Sequence, residues 1–313
     1  MSAASVMARW VSGRATVLMF LSVILGLTVQ DLARLLSPLV LFGSMGAMFL
    51  TALRLDPRLL MSWIRKPRVP VAIILFTTLL VPVFTVILIR AGWFAPEVAL
   101  AIGLIAATPP ILSVGAYCVL LGTDNELLTL SVLPATALGI VGLPFFAAIV
   151  GLPGLSPAGL AVELLMVVGT AMGGALLLRL VIPLKRIEQQ VVALDFFAVL
   201  MMIIVAIGVT DGLGALIFEQ PVKVVEAFAI TAALSILLQA VGWLVFVRHG
   251  ARVAASVALV NGFRNMALLL GLLLGHVDAS LQLLLVCGQL QLFLLPMLMR
   301  LVYRRLGVSA VPA

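Results

Sequence analysis

Between Arg68 and Arg90 the sequence reads "VPVAIILFTTLLVPVFTVILI", a run without one ionisable side chain. About 20 apolar residues in a helix cross the ~30 Å hydrocarbon layer of a bilayer. Runs of this kind recur along the whole chain, which narrows the possible folds more than any other feature. Hydrocarbon offers a peptide group no hydrogen-bond partner, so a spanning chain must be helical or a closed barrel. Strand-like alternation is absent from these runs, and the chain is expected to be an all-α membrane protein.

Composition supports this: 64% of the 313 residues are apolar and 10% charged, with a mean hydropathy of +1.31. Soluble domains average ~45–50% apolar and ~25% charged residues. A net charge of +7 would suit nucleic acid, but the basic residues stand at segment ends, where they orient helices; no nucleic-acid partner is expected. Cys118 and Cys287 lie in separate apolar runs without metal-ligand spacing, so neither a disulfide nor a zinc site is expected. The N-terminal "MSAASVMARWVSGRATVLMF" lacks a cleavage signature and reads as the start of an uncleaved span.

Charge clusters, prolines and glycines divide the chain into spans near 15–33, 35–54, 69–90, 97–121, 127–150, 158–182, 191–211, 221–247, 253–275 and 280–301. With these ten spans, fifteen Lys and Arg fall on one side (Arg9, Arg14, Arg54, Arg58, Arg65, Lys66, Arg68, Arg179, Lys185, Arg186, Arg248, Arg252, Arg300, Arg304, Arg305). Only Arg34, Arg90 and Lys223 fall on the other. The positive-inside rule then puts both termini in the cytoplasm, with a bacterial inner membrane as the expected location. Five spans per half give two halves, 1–157 and 158–313, that enter the membrane from opposite sides, as inverted repeats do.

Spans four and nine, equivalent in the two halves, are the most interrupted. In "ALAIGLIAATPPILSVGAYCVLLGTD", Pro109 and Pro110 lack N–H donors and disfavour helix at Thr108, with Ser113 and Gly115 following. The carbonyls freed there must be buried or line a cavity. In span nine, "LVNGFRNMALLLGLLLG" sets Asn261, Gly262, Arg264 and Asn265 among lipid-compatible residues. Arg264 is eleven residues from the start of its span, about 16 Å deep at ~1.5 Å per residue. A charge at that depth costs at least a few kcal/mol unless compensated. Asp124, Glu126, Glu163, Asp195, Asp211 and Glu226 all stand near span ends, so no carboxylate matches its depth. Two partners remain open: carbonyls at the span-four break, or an anionic ligand.

Thr231, Ser235 and Gln239 form a polar stripe on span eight, and span ten carries Gln282, Gln289 and Gln291. Each set fits a cavity lining or hydrogen bonds between helices. Thr77, Thr78 and Pro82 fit a cavity or a local backbone adjustment in span three. His249 and His276 stand at opposite ends of span nine, and no nucleophile–base set lies within the spans, so catalysis is not expected.

Several segments resemble the bile acid:sodium symporter family: "SMGAMFLTALRLDP" (44–57), "LLVPVFTVIL" (79–88), "TPPILSVGAYCVLLGTD" (108–124) and "NGFRNMALLLGLL" (261–273). The resemblance implies ten helices in two inverted five-helix repeats. Spans 1, 2, 6 and 7 form a panel, and the rest form a core in which discontinuous spans four and nine cross. It also implies carriage of an organic anion by alternating access between core and panel. The sodium-ligand positions depart from the family pattern. Thr77, Val114, Gly115, Leu128, Val132, Val260 and Arg264 stand where coupled members carry oxygen ligands. Sodium coupling is therefore not expected, and no cofactor is.

In the favoured version Arg264 replaces a sodium ion and holds the crossover together. In the other it grips the substrate, for which a guanidinium fork is suited. Related efflux carriers of the arsenite or auxin type, or a membrane sensor of an organic anion, are the alternatives. Apart from substrate and lipid no partner is implied, and a monomer is compatible with everything read here.

Overall fold

A computed structural model describes residues 10–11, 14–54, 67–111, 117, 121, 123–151, 156–273 and 277–308. Ser113, Val114, Gly115, Cys118 and His276, singled out above, lie outside the described residues. The described residues are all-helical, apart from one isolated backbone bridge. Seven of their helices are long and apolar enough to cross a membrane. The chain is a multi-pass membrane protein.

The principal helices are α1 (Ala15–Thr28), α2 (Gln30–Leu53), α3 (Arg68–Arg90), α4 (Pro96–Ala107), α5 (Asn125–Val150) and α6 (Pro157–Val181). They continue with α7 (Val191–Gly208), α8 (Pro221–Phe246), α9 (Ala251–Gly262), α10 (Met266–Leu273) and α11 (Ala279–Arg305). Helix termini fall where local chemistry stops propagation. Asp124, Ser156 and Asp278 cap α5, α6 and α11 by accepting from the amides of Leu127, Gly159 and Leu281 at 3.0, 2.9 and 2.8 Å. Such side chains satisfy donors that have no partner within the helix. Pro96, Pro157 and Pro221 open α4, α6 and α8, where a missing N–H is no loss. Gly151 and Gly212 end α5 and the region after α7 at φ 85° and 76°, open to glycine at no steric cost.

The boundary between the first two spans differs from expectation. α1 stops at Thr28, whose hydroxyl donates back to the Ile24 carbonyl at 2.9 Å, and α2 already begins at Gln30. The Gln30 carboxamide donates to Gly26 O and Thr210 O and accepts from Gly212 N, tying this junction to the end of α7. At the other end of the same pair, Arg54 bonds Asp195. The α2–α7 contact is thus held at both ends.

Polarity is inverted relative to a soluble protein. Leu180 and Val181 are 83% and 80% exposed, whereas Thr77, Thr108, Asn261, Arg264 and Gln289 are buried. Apolar side chains facing outward suit lipid, and polar ones collect inside. In packing, α7 lies against α1 and α2, and α6 against α2. The helices α3, α4 and α5 pack together, as do α8, α9, α10 and α11. These two groups interlock through α4 against α11 and α9 against α5.

Candidate functional site

At the centre, two helices stop and their chains pair. α4 ends as Thr108 turns extended (φ −62°, ψ 136°) ahead of Pro109 and Pro110. α9 ends at Gly262, followed by Phe263 at φ −107° and ψ 88°. The two extended segments run antiparallel, with Pro110 opposite Arg264. Ile111 N donates to Phe263 O at 2.9 Å, and Asn265 N donates to Pro109 O at 2.8 Å. These bonds use the donor just after the proline pair and an acceptor within it. Gly139 on α5 makes room, since a Cβ there would stand 2.9 Å from the Pro109 ring.

This pairing releases carbonyls, and Arg264 collects them. Asn265 N would ordinarily bond Asn261 O within a continuing helix. It is spent on Pro109, so Asn261 O accepts from Arg264 Nε at 2.8 Å. Thr108 O accepts from Nη1 at 3.2 Å. The third carbonyl comes from α3, which contains a π turn at Phe76–Leu80. There Val81 N bonds Phe76 O instead of Thr77 O, and Pro82, the next residue along, has no N–H. Thr77 O is left free and accepts from Nη1 at 3.4 Å. Asn261 Oδ1 accepts from Nη2 at 3.3 Å. The Arg264 residue is 2% exposed.

Every acceptor around the guanidinium is neutral; the one ion pair among the described residues is Arg54–Asp195. Helix dipoles provide the countercharge. The C-terminal ends of α4 and α9 converge on Arg264, and each carries roughly half a negative charge. Together they offset about one positive charge. The N-terminal end of α10, of opposite sign, begins two residues later at Met266. Asn265 caps it, accepting from Leu268 N at 3.2 Å, and reaches α2 through Ser44 Oγ at 3.4 Å and Met48 Sδ at 3.6 Å.

The polar stripe on α8 makes hydrogen bonds within the helix bundle. Ser235 Oγ donates to Gly262 O at 2.8 Å, and Gln239 Oε1 accepts from Tyr303 OH at 2.9 Å. Thr231 Oγ1 donates to Ala227 O and lies 3.5 Å from Gln291 Nε2. Gly262 is required here, because a Cβ would run into Gln239 Cγ. Gln289 differs from these: it is fully buried, and both atoms of its carboxamide lack a partner among the described residues. At the positions matched to sodium ligands, Leu128, Val132 and Val260 are buried apolar side chains.

A crevice of about 150 Å³ opens where the start of α2, the end of α7, α10 and α11 meet. Ser37, Leu41, Val209, Asp211, Leu270, Gln282 and Val286 are among its walls. Asp211 is the one charged residue among its described walls, and the sequence marks it only as a carboxylate near a span end. Among the described residues no group of His, Cys, Asp and Glu is arranged to hold a metal. No protein-family model matches this chain, and no curated protein matches it.

Proposed function

We propose that the protein is a sodium-independent secondary transporter of small organic anions, built as a divergent bile acid:sodium symporter-like carrier. In this reading ten spans form two inverted repeats, 1–157 and 158–313. A panel of α1, α2, α6 and α7 moves against a core of the remaining helices. The pairing of α4 with α11 and of α9 with α5 supports it, since these contacts exchange when the halves are interchanged. The sidedness rests on the distribution of Lys and Arg.

The observation that carries the reading is Arg264 bound to carbonyls from α3, α4 and α9 at the crossing. Broken helices at membrane depth are a device of carriers, where freed carbonyls bind cations and half-helix N-termini face anions. Here a tethered guanidinium occupies the cation's role. With the dipoles of α4 and α9 offset, the positive end of α10 is the pole left for a solute among the described helices, which favours an anion. The guanidinium is already engaged and buried, so it acts on the crossing rather than as the grip on the solute.

The test is counterflow in proteoliposomes. Vesicles preloaded with an unlabelled organic anion should accumulate the labelled anion at equal rates in sodium and potassium buffers. Absence of counterflow across a panel of carboxylates and sulfonates would leave a sensor as the better reading. Sodium-stimulated exchange would refute the role given to Arg264.

A further inference from the structure

Gln289 presents a problem of chemistry. A carboxamide wholly buried at membrane depth with neither end bonded costs several kcal/mol, and buried polar groups of this kind ordinarily have a partner. No described residue supplies one. Gln282 and Val286 on α11 line the crevice, and Gln289 follows Val286 by three residues. The three share one helix face, with Gln289 one turn deeper. Its neighbour Gly288 meets Met266, the first residue of α10: a Cβ at 288 would lie 3.5 Å from Met266 Cε. Gln289 therefore stands on α11 one turn beyond the crevice wall, at the level of the positive end of α10. The walls above it are largely apolar: Leu41, Val209, Leu270 and Val286. Asp211 is the one charged residue among the described walls.

We infer that Gln289 anchors the anionic head of the carried solute, and that Asp211 restricts the crevice to monoanions. The inference rests on the transporter reading above. The head descends to Gln289, whose Nε2 donates to it beside α10. Oε1 accepts from a solute hydroxyl or an ordered water. The tail lies along the apolar walls, and a second anionic group at the tail end meets Asp211. From Gln282 to Gln289 is about 10 Å at ~1.5 Å per residue, close to the length of a six-carbon chain bearing a polar group.

Hexane-1-sulfonate and hexane-1,6-disulfonate are suitable probes, since both are permanently charged and neither crosses lipid unaided. Thermal unfolding of the purified full chain reports binding, and counterflow in proteoliposomes reports transport. The wild type should bind and exchange the monosulfonate and discriminate against the disulfonate. Gln289→Met should weaken monosulfonate binding about tenfold, the scale of one hydrogen bond to an ionised group. The same variant should unfold at no lower temperature without ligand, because an unbonded carboxamide has been removed. Gln289→Leu gives the same comparison where the methionine variant does not fold. Asp211→Asn should raise disulfonate binding relative to monosulfonate by about tenfold, one like-charge contact. A Gln289→Met protein that binds the monosulfonate like wild type shows a carboxamide that is merely hydrated, and overturns the inference. An unchanged selectivity ratio in Asp211→Asn overturns the assignment of the mouth. These failures leave the transporter reading intact, whereas a wild type indifferent to both sulfonates refutes this inference and counts against that reading as well.

Discussion

Replacing Arg264 with methionine keeps most of the side-chain length and removes the charge and all the donors. Three main-chain acceptors, Thr77 O, Thr108 O and Asn261 O, then lose the guanidinium that binds them. A buried acceptor left without its partner costs about 1–3 kcal/mol, which gives a gross loss of about 3–9 kcal/mol. Relief of the buried charge offsets part of this, so the expected net loss is about 3–5 kcal/mol, the range for breaking a buried ion pair. At roughly 2–4 °C per kcal/mol for a chain of this general size, Arg264→Met should unfold roughly 10 °C below wild type. Arg264→Lys keeps the charge but loses the fork that reaches carbonyls on three helices, and should fall between the two. Thermal unfolding in detergent, followed by intrinsic fluorescence, measures all three proteins. If Arg264→Met unfolds within 2 °C of wild type while losing only anion binding, the guanidinium is a substrate grip and the argument from the carbonyls fails.

Three other outcomes are expected. Exchanging sodium for potassium at constant ionic strength should leave the unfolding temperature of the wild type unchanged, whereas Val260→Glu/Arg264→Gln, which replaces the guanidinium with side-chain oxygens, should gain stabilisation by sodium in the same assay. Gly139→Ala should cost about 1–3 kcal/mol by pressing on the Pro109 ring, while Gly142→Ala, where a Cβ meets nothing within 4 Å, should be neutral or slightly stabilising by thermal melt. Asn265→Leu should cost about 1 kcal/mol through loss of the cap on α10, read by the same melt and by faster amide exchange at Leu268.

The interruptions in spans four and nine were legible because they rest on covalent facts. Pro109 and Pro110 have no N–H, and a charge at depth needs acceptors, so carbonyls at the break were among the partners expected for Arg264. The Thr77 carbonyl was not legible. It depends on a π turn whose extra residue shifts Val81 N to Phe76 O, and one Pro in an apolar helix does not announce that register. The seam at Thr28–Gln30 was placed too late because hydropathy runs straight through it. What ends α1 is a hydroxyl turned back on its own helix and a carboxamide reaching α7. The stripe Thr231–Ser235–Gln239 has the periodicity of a channel wall and of a helix interface alike. The bonds it makes to Gly262 and Tyr303 are not written in that periodicity. Gln289, by contrast, looked like its neighbours in the sequence and is set apart by having no partner among the described residues.

A cation joined to the chain by peptide bonds has no chemical potential of its own. Where a dissociable ion holds a crossing together, its concentration in the surrounding solution enters every equilibrium between conformations, and a gradient of that ion performs work. With Arg264 in that position, occupancy is one per molecule at any dilution and on either face of the membrane. In a carrier so built, the balance between its two orientations is free of the sodium term. Unless another ion is harnessed elsewhere in the molecule, solute then flows only down its own electrochemical gradient, and the direction of net flux is left to whatever makes or consumes that solute in the cell.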